Sequence, residues 1–192
     1  MNEVLAHLYE IADDSEYALK TLYKTGAQCF DNKTLFDKLA INIDGIKGLH
    51  ANQHIPQIVG AIKEFAAGLS SGDDENYYYN VAKNFWQYVV GRYAYSIGGV
   101  GKDEKFTSPY ALAANIFNDR NCETCCAYNM LKLTRELNKY DPENAEYMDY
   151  YERTLYNQIT SSQNPNVTED EHNGVTYMLP IGPGTQRGFG GD

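Results

Sequence analysis

Apolar positions recur with helical spacing in three pairs of segments, each pair joined by a short polar turn and separated from the next by a long connection. The spacing predicts helices over about 2–12 and 15–25, joined by Asp13-Asp14-Ser15, and over about 54–69 and 75–93, joined through Ser70-Ser71-Gly72-Asp73-Asp74 with Asp73 or Asp74 as a cap. A third pair is predicted over about 125–139 and 143–162, with Pro142 suited to the first turn of its second helix. Each second helix carries tyrosine near its start: Tyr17, then Tyr77 to Tyr79, then Tyr147, Tyr150 and Tyr151. A loose recurrence of roughly sixty residues fits stacked helical hairpins, whose apolar faces are buried by their neighbours. The expected fold class is therefore all-α, and three hairpins would make half of a six-hairpin α/α barrel.

The connections are longer than packing requires, which marks them as functional or mobile. One contains Gly48-Leu49-His50-Ala51-Asn52 before a helix expected at Ile55-Pro56, and another runs from Ser96 through Glu104 to Pro109. The last spans Asn164 to Gly174 and leads into Val175-Thr176-Tyr177-Met178-Leu179-Pro180, a short strand-like run. If the hairpins curve into a barrel, His50, Glu104, Glu123, Cys125 and Tyr177 can meet at one rim. Ile97 to Gly101 lacks the lysine and serine of a phosphate-binding loop and reads as a turn. Asn32-Lys33-Thr34 and Asn166-Val167-Thr168 match the glycosylation acceptor pattern, which is too common to establish secretion.

Three of the four cysteines fall in Cys122-Glu123-Thr124-Cys125-Cys126, beside a carboxylate and just ahead of an amphipathic segment with Cys126, Met130, Leu133 and Leu137 on one face. Soft sulfur beside hard oxygen suits a metal such as zinc, and a helix starting near Thr124 to Cys126 would favour anionic ligands through its unpaired N–H groups. Glu123 and Cys125 point the same way if the backbone between them is extended. The competing reading is that buried cysteines simply pack as small hydrophobes. A disulfide framework is not needed by a chain of 192 residues that is 43% hydrophobic.

A net charge of −10 argues against nucleic-acid and anionic-membrane partners. No apolar run approaches the roughly twenty residues that span a bilayer. The charge leaves room for a neutral or cationic partner, and the 17 tyrosines suit a polar, ligand-holding cavity, although most tyrosines only pair an apolar ring with a wet hydroxyl. Both ends read as cut, since Met1 opens inside an amphipathic pattern and Gly182 to Asp192 is a loop. The expectation is a piece of a larger protein, able to self-associate through apolar surface that the remainder would cover.

Glu123-Thr124-Cys125-Cys126-Ala127-Tyr128-Asn129-Met130-Leu131-Lys132-Leu133-Thr134-Arg135, with Tyr150-Tyr151-Glu152-Arg153-Thr154-Leu155-Tyr156-Asn157 after it, resembles glycoside hydrolase family 127. That family includes β-L-arabinofuranosidases. Met1 to Ala6, Gly48 to Asn52 and Tyr177 to Pro180 fit the same pattern in the same order, so the resemblance covers nearly all of residues 1–192. It implies a partial (α/α)6-barrel catalytic domain and a zinc-dependent retaining mechanism with a carbohydrate substrate. In that mechanism a zinc-held cysteine attacks the anomeric carbon, a glutamate protonates the leaving oxygen, and the glycosyl-thioether is hydrolysed.

Residue by residue, the resemblance assigns Glu123 and Cys125 as zinc ligands, Glu104 as the acid/base, His50 as a sugar-contacting histidine and Tyr177 as a pocket tyrosine. The two remaining ligands, one of them the nucleophile, form a cysteine pair expected beyond Asp192, so this stretch alone is expected to bind zinc weakly and to be inactive. Cys126, on the apolar helix face, is a poor substitute. Each residue also has an ordinary reading: Glu104 a solvated loop charge, His50 a turn cap beside Asn52, Tyr177 a core residue. His7, His54 and His172 have no distinguishing context. The alternative for the whole chain is a non-catalytic helical-hairpin module that binds glycan or protein. The compartment is left open.

Overall fold

The structure is a computed structural model that describes residues 1–166 and 174–189. His172 and most of the second glycosylation sequence lie outside them. The fold is all-α: the described residues form helices and isolated β-bridges, with no extended strand. The chain divides into two compact units, residues 1–46 with 53–87 and residues 47–52 with 88–192.

The first unit holds α1 (Asn2–Ile11), α2 (Tyr17–Cys29), α3 (Lys33–Ala40) and most of α4 (Ala51–Ala66) and α5 (Tyr77–Tyr88). α1 packs on α2 as the first expected hairpin. α3 was not expected from the sequence, because its eight residues are too few for a helical period to stand out. Asn32, read as the start of a glycosylation sequence, is its N-cap and accepts the Leu35 N–H at 3.3 Å. α3 then buries Leu35, Phe36 and Leu39. α4 begins at Ala51, earlier than expected, which places Pro56 inside the helix. Asp74 accepts the Asn76 N–H at 2.9 Å in the turn ahead of α5, a local turn contact rather than the helix cap expected of Asp73 or Asp74, because α5 starts at Tyr77.

Asn2 is buried at the start of α1 and donates from its side chain to the Gln57 carbonyl at 3.1 Å. A Cβ on Gly60 would come within 2.0 Å of the Asn2 side chain, so this approach needs glycine. Deeper in the unit, Asp31 and Glu64 have fully buried side chains. The Tyr78 hydroxyl donates to Asp31 Oδ2 at 2.7 Å, and Lys33 Nζ lies 3.3 Å from the same oxygen. Asn2 donates to Glu64 Oε2 at 3.5 Å. The other two oxygens, Asp31 Oδ1 and Glu64 Oε1, are buried and have no donor from the described residues, while the two carboxyl groups interact with each other.

In the second unit, α6 (Thr124–Asn138) packs against α7 (Ala145–Thr154). Cys126, Met130, Leu133 and Leu137 are fully buried, the face expected from their spacing. Pro142 falls in the turn ahead of α7, whose cap is Asn144, rather than in the first turn of the helix. α5 runs into a π-turn over Val89–Tyr93, and α7 into another over Leu155–Ile159. The Ile97 to Gly101 stretch is a turn, as read from the sequence, and it is packed tightly. Gly98 has φ +89° and accepts the Tyr150 hydroxyl at 2.8 Å, and a Cβ on Gly99 would lie 2.2 Å from Gln158 Oε1 and 2.7 Å from Cys122 Sγ. Glycine is required there because α7 and the 122 turn close on the backbone from both sides.

Candidate active site

The Cys122 to Cys126 run joins a strained turn to a helix start. Cys122 is buried with φ +53°, an uncommon conformation for a non-glycine residue. Gln158, buried in the second π-turn, donates to the Cys122 carbonyl at 2.7 Å and to the Glu123 carbonyl at 3.3 Å. π-turns of this kind often accompany functional sites, because the extra residue re-aims a side chain. Glu123 is extended, with φ −54° and ψ 127°, and serves as N-cap of α6, so Cys125 already lies in the first helical turn. The two side chains meet nonetheless, because the extended cap residue turns its carboxylate over that turn.

Glu123 is almost fully buried, and three donors reach its carboxylate. Oε1 accepts the Tyr177 hydroxyl at 2.6 Å and Asn52 Nδ2 at 3.1 Å, while Oε2 faces Cys126 Sγ at 3.4 Å. The Tyr177 hydroxyl also interacts with the Cys125 thiol. Tyr177 is set in place by its backbone: Thr124 N donates to the Tyr177 carbonyl at 2.9 Å, Glu123 bridges to Met178, and Leu179 N donates to Asn121 O at 2.9 Å. The strand-like run thus makes isolated bridges against the start of α6 instead of joining a sheet. Beneath it, Tyr95, Cys122 and Leu179 form a small apolar floor. Beside Tyr177 lies a polar cleft of about 310 Å³ whose walls include Asp119, Arg120 and Gln186.

Burial pushes the Cys125 thiol upward, with the Glu123 carboxylate adding to the rise and the Tyr177 hydroxyl opposing it. Burial first, then Glu123, pushes Cys126 higher still. The helix N-terminus, expected to favour a thiolate, is therefore outweighed by desolvation and a neighbouring carboxylate. Tyr177 is held as the neutral phenol by its hydrogen bond to Glu123.

His50 and Glu104 form a second group, with His50 Nε2 3.3 Å from Glu104 Oε2. Glu104 sits in a two-residue turn closed by hydrogen bonds of 2.9 and 3.0 Å between Lys102 and Lys105. Asp103 and Glu104 have φ of 46° and 65°, as the tightest hairpin turns demand. A left-handed conformation costs a residue such as glutamate about 1–2 kcal/mol. The Ala51 N–H donates to the Glu104 carbonyl at 2.7 Å, and Arg120 Nε lies 3.4 Å from Asp103. Backbone bridges from His50 to Lys105 and from Lys102 to Asn121 tie this turn to the Glu123 segment.

All five candidates therefore fall in one unit, Glu123 grouped with Tyr177 and Cys125, and His50 with Glu104. As a metal centre, Glu123 and Cys125 offer an oxygen and a sulfur side by side, which fits half of a tetrahedral shell. Among the described residues no group of three or more His, Cys, Asp or Glu side chains is arranged to hold a metal ion. Cys126 lies near Glu123 Oε2, but it is fully buried on the core face of α6.

The family model of the beta-L-arabinofuranosidase, GH127 catalytic domain matches residues 1–189. The chain belongs to this family. Comparison with curated proteins gives no match. The solved structure of a GH127 beta-arabinofuranosidase, BT3674, is similar in fold at a TM-score of 0.60 and 21% identity, over 85% of this chain and 25% of that one. The chain thus spans about a quarter of the length of that GH127 structure. The all-α hairpins accord with a fragment of the family's (α/α)6 barrel.

Sequence reasoning missed three residues of the GH127 chain's site: Asn52, Asn129 and Gln158. Asn52 stands two positions after His50, and Asn129 lies four after Cys125 on the same helical face, so both had a positional signal. Gln158 had none, because only the π-turn aims it at the Cys122 backbone.

Proposed function

We propose that this chain supplies the acid and half of the metal site of a zinc-dependent retaining glycoside hydrolase acting on β-L-arabinofuranosides or related furanosides. The observation that supports it most is the convergence of Tyr177 and Cys125 on the buried carboxylate of Glu123 in a chain of the GH127 family. Glu123 and Cys125 would hold the zinc, which when bound favours a thiolate over a thiol and so supplies a nucleophile at neutral pH. Tyr177 orients Glu123 and presents its ring to the cleft beside it. Glu104, held by its turn and by His50, donates a proton to the leaving oxygen and then takes one from water. His50 contacts the sugar from the same side. The nucleophilic cysteine comes from the longer protein, and the chain by itself is expected to turn over no substrate.

In the longer protein, Glu104→Gln is expected to lower kcat/KM by about 10²–10⁴-fold on furanosides with poor leaving groups while sparing activated aryl furanosides. Equal loss on both substrate types would return Glu104 to an ordinary loop charge. Metal analysis of the present chain after dialysis is expected to show less than one zinc per molecule, since two ligands leave half the shell to water.

A further inference from the structure

Asn52 donates to Glu123 Oε1 at 3.1 Å, and Asn129 donates to Asn52 Oδ1 at 2.9 Å and to the Cys125 carbonyl at 3.1 Å. The direction of this chain of hydrogen bonds is dictated by chemistry. A carboxylate oxygen only accepts, so Asn52 must turn its NH₂ toward Glu123 and its carbonyl toward Asn129. A carbonyl oxygen also only accepts, so Asn129 must turn its NH₂ toward both Asn52 and Cys125. Flipping the Asn129 amide would set acceptor against acceptor at two contacts, and flipping Asn52 would set acceptor against acceptor at Glu123 and donor against donor at Asn129. The relay starts on the Cys125 turn of α6 and ends on Glu123, through the first turn of α4.

We infer that Asn52 is a positioning residue that fixes the plane of the Glu123 carboxylate, with Asn129 setting the orientation of the Asn52 amide. Tyr177 and Asn52 together occupy Oε1 while Oε2 faces the buried Cys126 thiol, so the carboxylate plane is held from both ends. The consequence for metal binding rests on the function proposed above: Glu123 is presented at an angle set before any cation arrives. Because Asn129 also binds the Cys125 backbone, the relay couples the orientations of the oxygen and sulfur ligands. Groups of this kind change metal affinity by about 10–100-fold when removed.

Two readouts on the described chain separate the relay from the metal reading. In metal-free NMR spectra, the Asn52 side-chain amide protons are expected to exchange slowly, and both Glu123→Gln and Asn129→Ala are expected to shift them. Asn52 amide signals unmoved by Asn129→Ala would overturn the relay. With cobalt(II) as probe, Asn52→Ala is expected to weaken binding about 10–100-fold and to alter the thiolate-to-cobalt absorption. The double variant Asn52→Ala/Asn129→Ala is expected to be no weaker than Asn52→Ala, because Asn129 acts through Asn52. Unchanged cobalt affinity and spectrum in Asn52→Ala, or additive losses in the double variant, would overturn the assignment. If the wild type gives no thiolate-to-cobalt band but the amide signature holds, the positioning of Glu123 stands and the metal reading of Glu123 and Cys125 fails. Backbone amide spectra of each variant report whether it is folded.

Discussion

Glu64 in the first unit and Glu123 in the second are both buried, and they are satisfied in opposite ways. Glu123 is met by an aromatic hydroxyl, a side-chain amide and a thiol, all able to donate. Glu64 is met by Asp31, another acceptor, with only a long contact from Asn2. Burial and then the Asp31 charge push Glu64 up to about 9, so Glu64 keeps a proton that it can donate toward Asp31. A carboxylate ringed by donors has its oxygens met by hydrogen bonds. One that faces its own kind holds a proton instead, and Lys33, 3.3 Å from Asp31, offsets part of the charge on both groups.

The largest expected effect separates the two by pH. A carboxyl group raised in the folded state binds its proton more tightly there than in the unfolded chain. The stability it contributes is fully present below the unfolded value of 4.5 and is lost as pH rises toward about 9. One proton gives a slope of at most about 1.4 kcal/mol per pH unit within that window. Urea titrations of the first unit, followed through Trp86, are expected to show midpoints falling from pH 5 to pH 9. Glu64→Gln, which keeps a permanent donor toward Asp31, is expected to flatten the slope. A slope that persists in Glu64→Gln would move the proton away from this pair.

A smaller effect tests the other carboxylate through its backbone. Gly99→Ala would drive a methyl group into Gln158 and Cys122, and overpacking of this kind costs about 1–3 kcal/mol. The same change should loosen the Cys122 turn that places Glu123, so reduced protection of the Asn52 amide is expected alongside the lower denaturation midpoint. Loss of stability with the amide unaffected would show that the 99 turn supports the core but not the site. Smaller again is Asn32→Ala, which removes the cap of α3 at a cost of about 1 kcal/mol. Because the loss lies wholly in the first unit, its pH slope should be retained while the midpoint drops at every pH.

The helices that read clearly were the long ones. Cys126, Met130, Leu133 and Leu137 announce the buried face of α6 because a period of 3.6 repeats often enough over fifteen residues to be recognised. The second helix of each later pair was legible through to Tyr93 and Ser162, although the π-turns within those spans, and the 3-10 turn that closes the last, were not. α3 was hidden by its length. Among the site residues, Glu123 and Cys125 stand two apart and His50 lies in a recognisable sequence pattern, so the residue types and the family were open to reading.

Their partners were not, because hydrogen bonds follow distance in space. Asn52 and Glu123 are 71 positions apart, and Tyr177 and Glu123 are 54 apart. The composition of the Cys122 to Cys126 run carried the chemistry available: a carboxylate, thiols and a helix start. Which Glu123 oxygen is engaged, which way the Asn52 amide points, and that Cys125 is raised by burial despite its helix terminus were settled by packing. A side chain's donors and its access to water are properties of the neighbours that the folded chain brings to it.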